Sequence, residues 1–236
     1  MVICQCTGRR ESILDKPLNI RYPVLVILAR TLAPHLLAEI PVVRATELKA
    51  SPRGVSWSLE SLAGILAEIS EETACGAISF VTEIILDAQR RNEPVAWVAG
   101  VSSIWYPPDL ADRGVDLSTL AVIRAGGEEE SLTATEWLVR SGAVGLVIVD
   151  AQGEWKASDA SLGRVLKLAE RSQCAVVFLT RKLSHEPSLG SRISLRGCIS
   201  RNGEEPFHIA ITIVKDKRSN SSSRQGRQYH GPSGMH

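Results

Sequence analysis

Two near-continuous apolar runs, Gly145–Asp150 (GLVIVD) and Cys174–Thr180 (CAVVFLT), most constrain what this chain can fold into. A strand without polar alternation has to be buried on both faces, which points to the interior of a parallel sheet covered by helices. The neighbouring segments supply the helices. Gly76–Arg91 sets Ile78, Val81, Ile84, Ile85 and Ala88 at helical spacing before turning polar at Arg90-Arg91-Asn92. Glu128–Ser141 opens on acidic residues and closes on Arg140, the order a helix dipole favours. Ala160–Arg171 is a third helix, and Gly64–Ser70, Pro94–Gly100 and Leu120–Arg124 are short strand-like runs. From Trp57 to Thr180 strand and helix alternate, which predicts an α/β fold with a mostly parallel sheet flanked by helices.

After Thr180 the rhythm changes. Arg181–Gly190 is a loop, and Ile193–Ser200 and Phe207–Val214 flank Arg201-Asn202-Gly203, whose Asn-Gly pair predicts a C-terminal antiparallel hairpin. At the other end, Val24–Ile40 is a helix with Leu25, Leu28, Leu32 and Leu36 along one stripe, closed by Pro41. The expected plan is an N-terminal extension over residues 1–52, a core over 53–218 and a flexible basic tail over 219–236 rich in Ser, Gly, Arg and Gln. From Arg181 onward ten basic side chains face four acidic ones, a net of +6 in a chain of net +1, so residues 1–180 carry −5. That asymmetry suits an anionic partner or, equally, a solvated tail. The five cysteines make no disulfide or metal pattern and suit a cytosolic protein with reduced thiols. The apolar run Val24–Ala29 is interrupted by Arg30, Pro34, His35 and Glu39, too soon for a membrane span.

The order and spacing of these segments resemble bacterial RecA. The resemblance runs through Leu66–Phe80, the strand ending Ala99-Gly100, Gly114-Val115-Asp116-Leu117 and Arg140–Asp150, with Cys174–Thr180 in the place of RecA's sensor strand. The segment Ile40–Ile69 and the closing His208–Arg218, with its Lys-Asp-Lys-Arg, look more like ImuA, the RecA-related partners of the translesion-synthesis mutasome. The SulA division inhibitors are a shorter branch of the same group. The resemblance implies a RecA-like core, a cytoplasmic place in the SOS DNA-damage response, and RecA, an ImuB-like protein or an error-prone polymerase as partners. By the same resemblance, the leucine stripe would dock on RecA or a second copy; packing on its own core is the plainer alternative.

Phosphate chemistry needs G-x-x-x-x-G-K-[ST], whose glycines open the backbone to the phosphates, whose lysine neutralises charge and whose hydroxyl holds magnesium. Here the matching run is Glu71-Glu72-Thr73-Ala74-Cys75-Gly76-Ala77-Ile78. Glu71 stands for the first glycine, Ala77 for the lysine and Ile78 for the hydroxyl; Gly76 survives. Glu71 and Glu72 are expected to repel a polyphosphate. The glutamate that orients water in RecA falls near Val101, and Asp150 matches the magnesium-associated aspartate, with loop capping as its plain alternative. A non-catalytic protein without cofactor or metal is therefore expected, with a SulA-like inhibitor of the division protein FtsZ and a DNA-dependent ATPase or recombinase as rivals. Arg181, Lys182, Arg192 and Arg196 follow the sensor strand and are candidate contacts for single-stranded DNA, or else solvent-facing residues of an edge hairpin. His185 and His208 lack ligand spacing. Trp105-Tyr106-Pro107-Pro108, read as a loop after the second strand, would meet a base or partner, or pack over the sheet edge, and Trp97 and Trp137 are expected in the core.

Overall fold

The computed structural model of the chain describes residues 55–72, 76–153, 155–202, 207–218 and 224–229. The chain divides into two compact units, Met1–Arg53 and Gly54–His236. The Leu25, Leu28, Leu32 and Leu36 stripe belongs to the first unit and lies outside the described residues.

In the second unit eight strands form one sheet: β1 (Leu66–Glu71), β2 (Val95–Ala99), β3 (Leu120–Arg124), β4 (Leu146–Ala151), β5 (Ala175–Arg181), β6 (Leu195–Asn202), β7 (Phe207–Asp216) and β8 (Arg224–Tyr229). Their order is β3-β2-β4-β5-β1-β6-β7-β8. The pairs from β3 to β6 are parallel, and β6-β7 and β7-β8 are antiparallel. Five helices, α1 (Leu59–Leu62), α2 (Ala77–Arg90), α3 (Pro107–Asp112), α4 (Glu128–Ser141) and α5 (Asp159–Ser172), cover it among the described residues.

Every residue of β1, β2 and β4 is buried, and β5 is buried up to its last residue, Arg181. Successive residues of a strand point to opposite faces, so Leu146 and Ile148 join one core under α1, α2 and α3, while Val147 and Val149 join a second under α4 and α5. Helix ends follow local chemistry. Ser58 and Ser158 cap α1 and α5 by accepting from the backbone N–H three residues on, and α4 closes on Gly142 in the left-handed region at φ 66°.

Three expectations need correction. Trp97 is in the core, its ring centre 4.9 Å from that of Trp105 and tilted 51° to it, but Trp137 is 68% exposed. The side of α4 that meets the sheet is Ser131, Leu132, Thr135 and Val139. Ser131 and Thr135 pass as core residues because their hydroxyls donate to the backbone carbonyls one turn earlier. Pro107-Pro108 opens α3 rather than a loop, with proline where a helix needs no N–H. The tail over 219–236 is not wholly irregular, since Arg224–Tyr229 adds to β7 as β8. It carries no apolar alternation because its pairing rests on backbone bonds, helped by Gln225 donating to the Val55 carbonyl; polar residues suit an edge strand. Val101 is 79% exposed on the loop after β2.

Two glycines test this packing in opposite directions. A Cβ on Gly197 of β6 would lie 2.6 Å from Ile211 Cγ1 and 2.7 Å from Trp57 Cζ2, so Gly197→Ala should cost about 1–3 kcal/mol in urea unfolding. A Cβ on Gly163, inside α5, would meet nothing nearer than Arg192 Nε at 3.7 Å. Gly163→Ala should instead add about 0.5–1 kcal/mol by raising helix propensity.

Candidate functional site

Ligands of open parallel sheets bind beyond the carboxyl ends of the strands, and here β1, β4 and the start of α2 converge on that edge. Glu71, the last residue of β1, is 2% exposed. Its Oε2 accepts from the backbone N–H of Gly76 at 3.1 Å and of Ala77 at 2.9 Å. These are donors that a helix start leaves without intrahelical partners, at the end where the dipole favours an anion. A phosphate bound at a helix N-terminus uses the same donors. The carboxylate expected to repel a phosphate is thus turned onto these backbone donors. Glu72 does not share that role: it is exposed and accepts from Ser184 N at 3.3 Å.

Among the described positions of this run, Gly76, Ala77 and Ile78 are packing positions. Gly76 has φ −119°, which any residue adopts. Its lack of a side chain matters sterically, because a Cβ would stand 2.5 Å from Ile199 Cγ2. Ala77 is buried and Ile78 packs against the core beneath α2. Ser79, one position along, accepts from Arg113 Nη2 at 3.0 Å, away from the strand ends.

Asp150 lies on β4 with its side chain 1% exposed. Its Oδ2 accepts from Ser103 Oγ at 2.5 Å and Ile104 N at 2.7 Å, which fixes the loop after β2. Its Oδ1 has no hydrogen-bond partner, and neither has Gln152 Nε2. Burial raises the carboxyl above its usual 3.8, and the charge of Glu71 adds to the rise. The Ser103 hydroxyl and the Ile104 N–H pull it down, as does the Gln152 amide, although its nitrogen does not reach bonding geometry. Val101, on the same loop, offers no carboxylate.

The four cations expected at DNA do not form one surface. Arg181 and Arg192 are exposed, and Lys182 is half-buried with Nζ 3.7 Å from Glu68 Oε1. Arg196 is 1% exposed, because its guanidinium is bonded inward to Ser70 and to loop carbonyls; it cannot meet an external polyanion. Glu68, which Lys182 and Arg196 face, is a residue that the motif pattern does not single out. The available signal was an acid inside a strand buried on both faces, since such a charge needs a buried partner. His185 and His208 are exposed, and among the described residues no group of three or more His, Cys, Asp or Glu is arranged to hold a metal. Trp105 faces the core while Tyr106 is 56% exposed. Among the described residues no helix is long and apolar enough to cross a membrane.

No family model matches the chain. Curated RecA proteins do. That of Chlorobium limicola is 32% identical over 88 residues, 37% of this chain and 25% of the relative. That of Ruegeria pomeroyi is 29% identical over 162 residues, 57% of this chain and 46% of the relative. That of Acinetobacter baumannii is 26% identical over 138 residues, 50% of this chain and 39% of the relative. The chain is RecA-like. In each of these matches it spans less than half of the relative's length.

Two substitutions separate the roles of the acids. Glu71→Ala leaves the Gly76 and Ala77 N–H groups without their carboxylate and should cost about 1–3 kcal/mol of stability. Asp150 has its native pKa raised above 3.8. Its protonation therefore favours the folded state, a contribution full below 3.8 and lost as pH rises through the raised value. Asp150→Asn keeps an acceptor for Ser103 and Ile104 but cannot ionise, so it should gain on the parent as pH rises from 3.8, read as urea midpoints across the range.

Proposed function

We propose that this chain is a non-catalytic, RecA-like accessory protein of the SOS DNA-damage response and translesion synthesis, similar to ImuA and cytoplasmic. It acts through protein contacts with RecA, an ImuB-like protein or an error-prone polymerase. The observation that carries this reading is the Glu71 carboxylate on the Gly76 and Ala77 N–H groups. A nucleotide would have to displace a buried internal anion, then bind without the lysine and hydroxyl whose places Ala77 and Ile78 take. The partial matches to RecA proteins support a shared fold with that family, and a RecA-like fold without nucleotide chemistry still offers surfaces for contact. Exposed Arg181 and Arg192 leave room for weak, salt-sensitive binding of single-stranded DNA.

Calorimetric titration of the full chain with ATP at millimolar magnesium should give no saturable binding. A dissociation constant below about 100 μM, about −5.5 kcal/mol, would overturn the nucleotide part. The tagged full chain should recover RecA or an ImuB-like partner after DNA damage. Recovery of FtsZ in their place would replace this reading with a SulA-like one.

A further inference from the structure

The connection from β5 to β6, residues 182–194, is unusual for parallel strands because it contains no helix. β5 and β6 lie on opposite sides of β1, so the connection has to cross the sheet's face. A helix would satisfy its own backbone on such a crossing; an irregular segment needs partners for every buried N–H and C=O. Leu189 and Ile193 are its buried apolar anchors.

Charged side chains beneath it supply the partners. Glu68, in the middle of β1 and fully buried, accepts from Leu189 N at 2.8 Å and from Thr180 Oγ1 at 2.9 Å. Arg196 sits opposite Glu68 in register on β6, its Nε 3.9 Å from Glu68 Oε1. Its Nη2 donates to the Leu183 carbonyl at 2.8 Å and its Nη1 to the Glu186 carbonyl. Lys215 Nζ donates to Ser188 Oγ at 2.8 Å and to the Gly190 carbonyl at 3.2 Å. Asp159 accepts from Ser191 Oγ at 2.8 Å and Ser191 N at 3.3 Å, and Lys217 donates to the Ser191 carbonyl. From Leu183 to Ser191 the segment is tied down by charges carried on β1, β6, β7 and α5.

We propose that residues 182–191 form a charge-latched strap, closed over the sheet by the Glu68–Arg196 pair, which commits Lys182, Arg196 and Lys215 to the chain's own backbone rather than to an external anion. Removing either member of a buried pair strands the other without compensation, so the latch opens as a unit. When it opens, the strap and its cations are released together. This holds whatever becomes of the nucleotide reading, because it concerns the opposite face of β1 from Glu71.

Hydrogen exchange on the full chain tests it. In the parent, the amides of residues 183–191, Leu189 above all, should exchange slowly. Glu68→Gln should speed them about tenfold or more, equivalent to about 1.4 kcal/mol of local stability, while β2 and β4 keep parental rates. Trypsin should then cut after Arg181 or Lys182. Adding Arg196→Met to Glu68→Gln should change the strap little further, as expected of coupled partners. Should Glu68→Gln fail to fold, Lys215→Met, at the strap's far end, should still loosen residues 188–191. Free exchange of the strap in the parent would overturn the proposal. So would parental strap rates in every folded variant.

Discussion

The packing at the carboxyl edge of this sheet depends on one carboxylate closing the start of α2. A helix entered directly from a buried strand cannot leave its first N–H groups bare, because water does not reach them and each unpaired donor costs about 1–3 kcal/mol. A fold that binds phosphate there obtains the missing acceptors from its ligand. This chain builds the acceptor in. Ala77 and Ile78 are core contacts, and Gly76 lies where a Cβ would meet Ile199.

The parts of the fold legible in the sequence were those where one physical demand dominates. Continuous apolar runs allow one solution, so β4 and β5 were found within a residue of their ends. The charge-ordered segment 128–141 is α4 with the same bounds because its charge order suits the dipole and Gly142 closes it in the left-handed region. Illegible were elements whose stability comes from backbone partners that sequence does not name. β8 has no apolar period, and its place follows from β7 offering a free edge. Hydrophobicity alone puts Trp137 inside, whereas Ser131 and Thr135 take the buried side of α4 because their hydroxyls are satisfied within the helix.

At the site, the sequence exposed what was missing and hid what took its place. The absent lysine and hydroxyl are visible as letters. That Glu71 turns back onto the helix it precedes is a matter of geometry, as is the burial of Arg196. Residue parity carries part of the information. Glu68 and Glu71 are an odd number of positions apart on one strand, so they face opposite sides. One acid organises the α2 side and the other the strap, and β1 is the strand from which both faces are fixed.

Glu68, Glu71 and Asp150 share a pattern of contacts with the connecting segments. Each is buried, and each accepts at least one backbone N–H from a connecting segment: Leu189 for Glu68, Gly76 and Ala77 for Glu71, Ile104 for Asp150. A catalytic or metal-binding carboxylate has to keep lone pairs for its ligand, whereas a carboxylate that holds a loop turns them to the backbone. Glu68 turns one oxygen to Thr180 and the other to Leu189, and Glu71 turns Oε2 to the start of α2. Asp150 differs, because its Oδ1 and the neighbouring Gln152 Nε2 are both buried without a bond. Burial raises its pKa above the ordinary carboxylate value against the pull of the Ser103 hydroxyl and the Ile104 N–H, the two donors by which it holds the loop after β2.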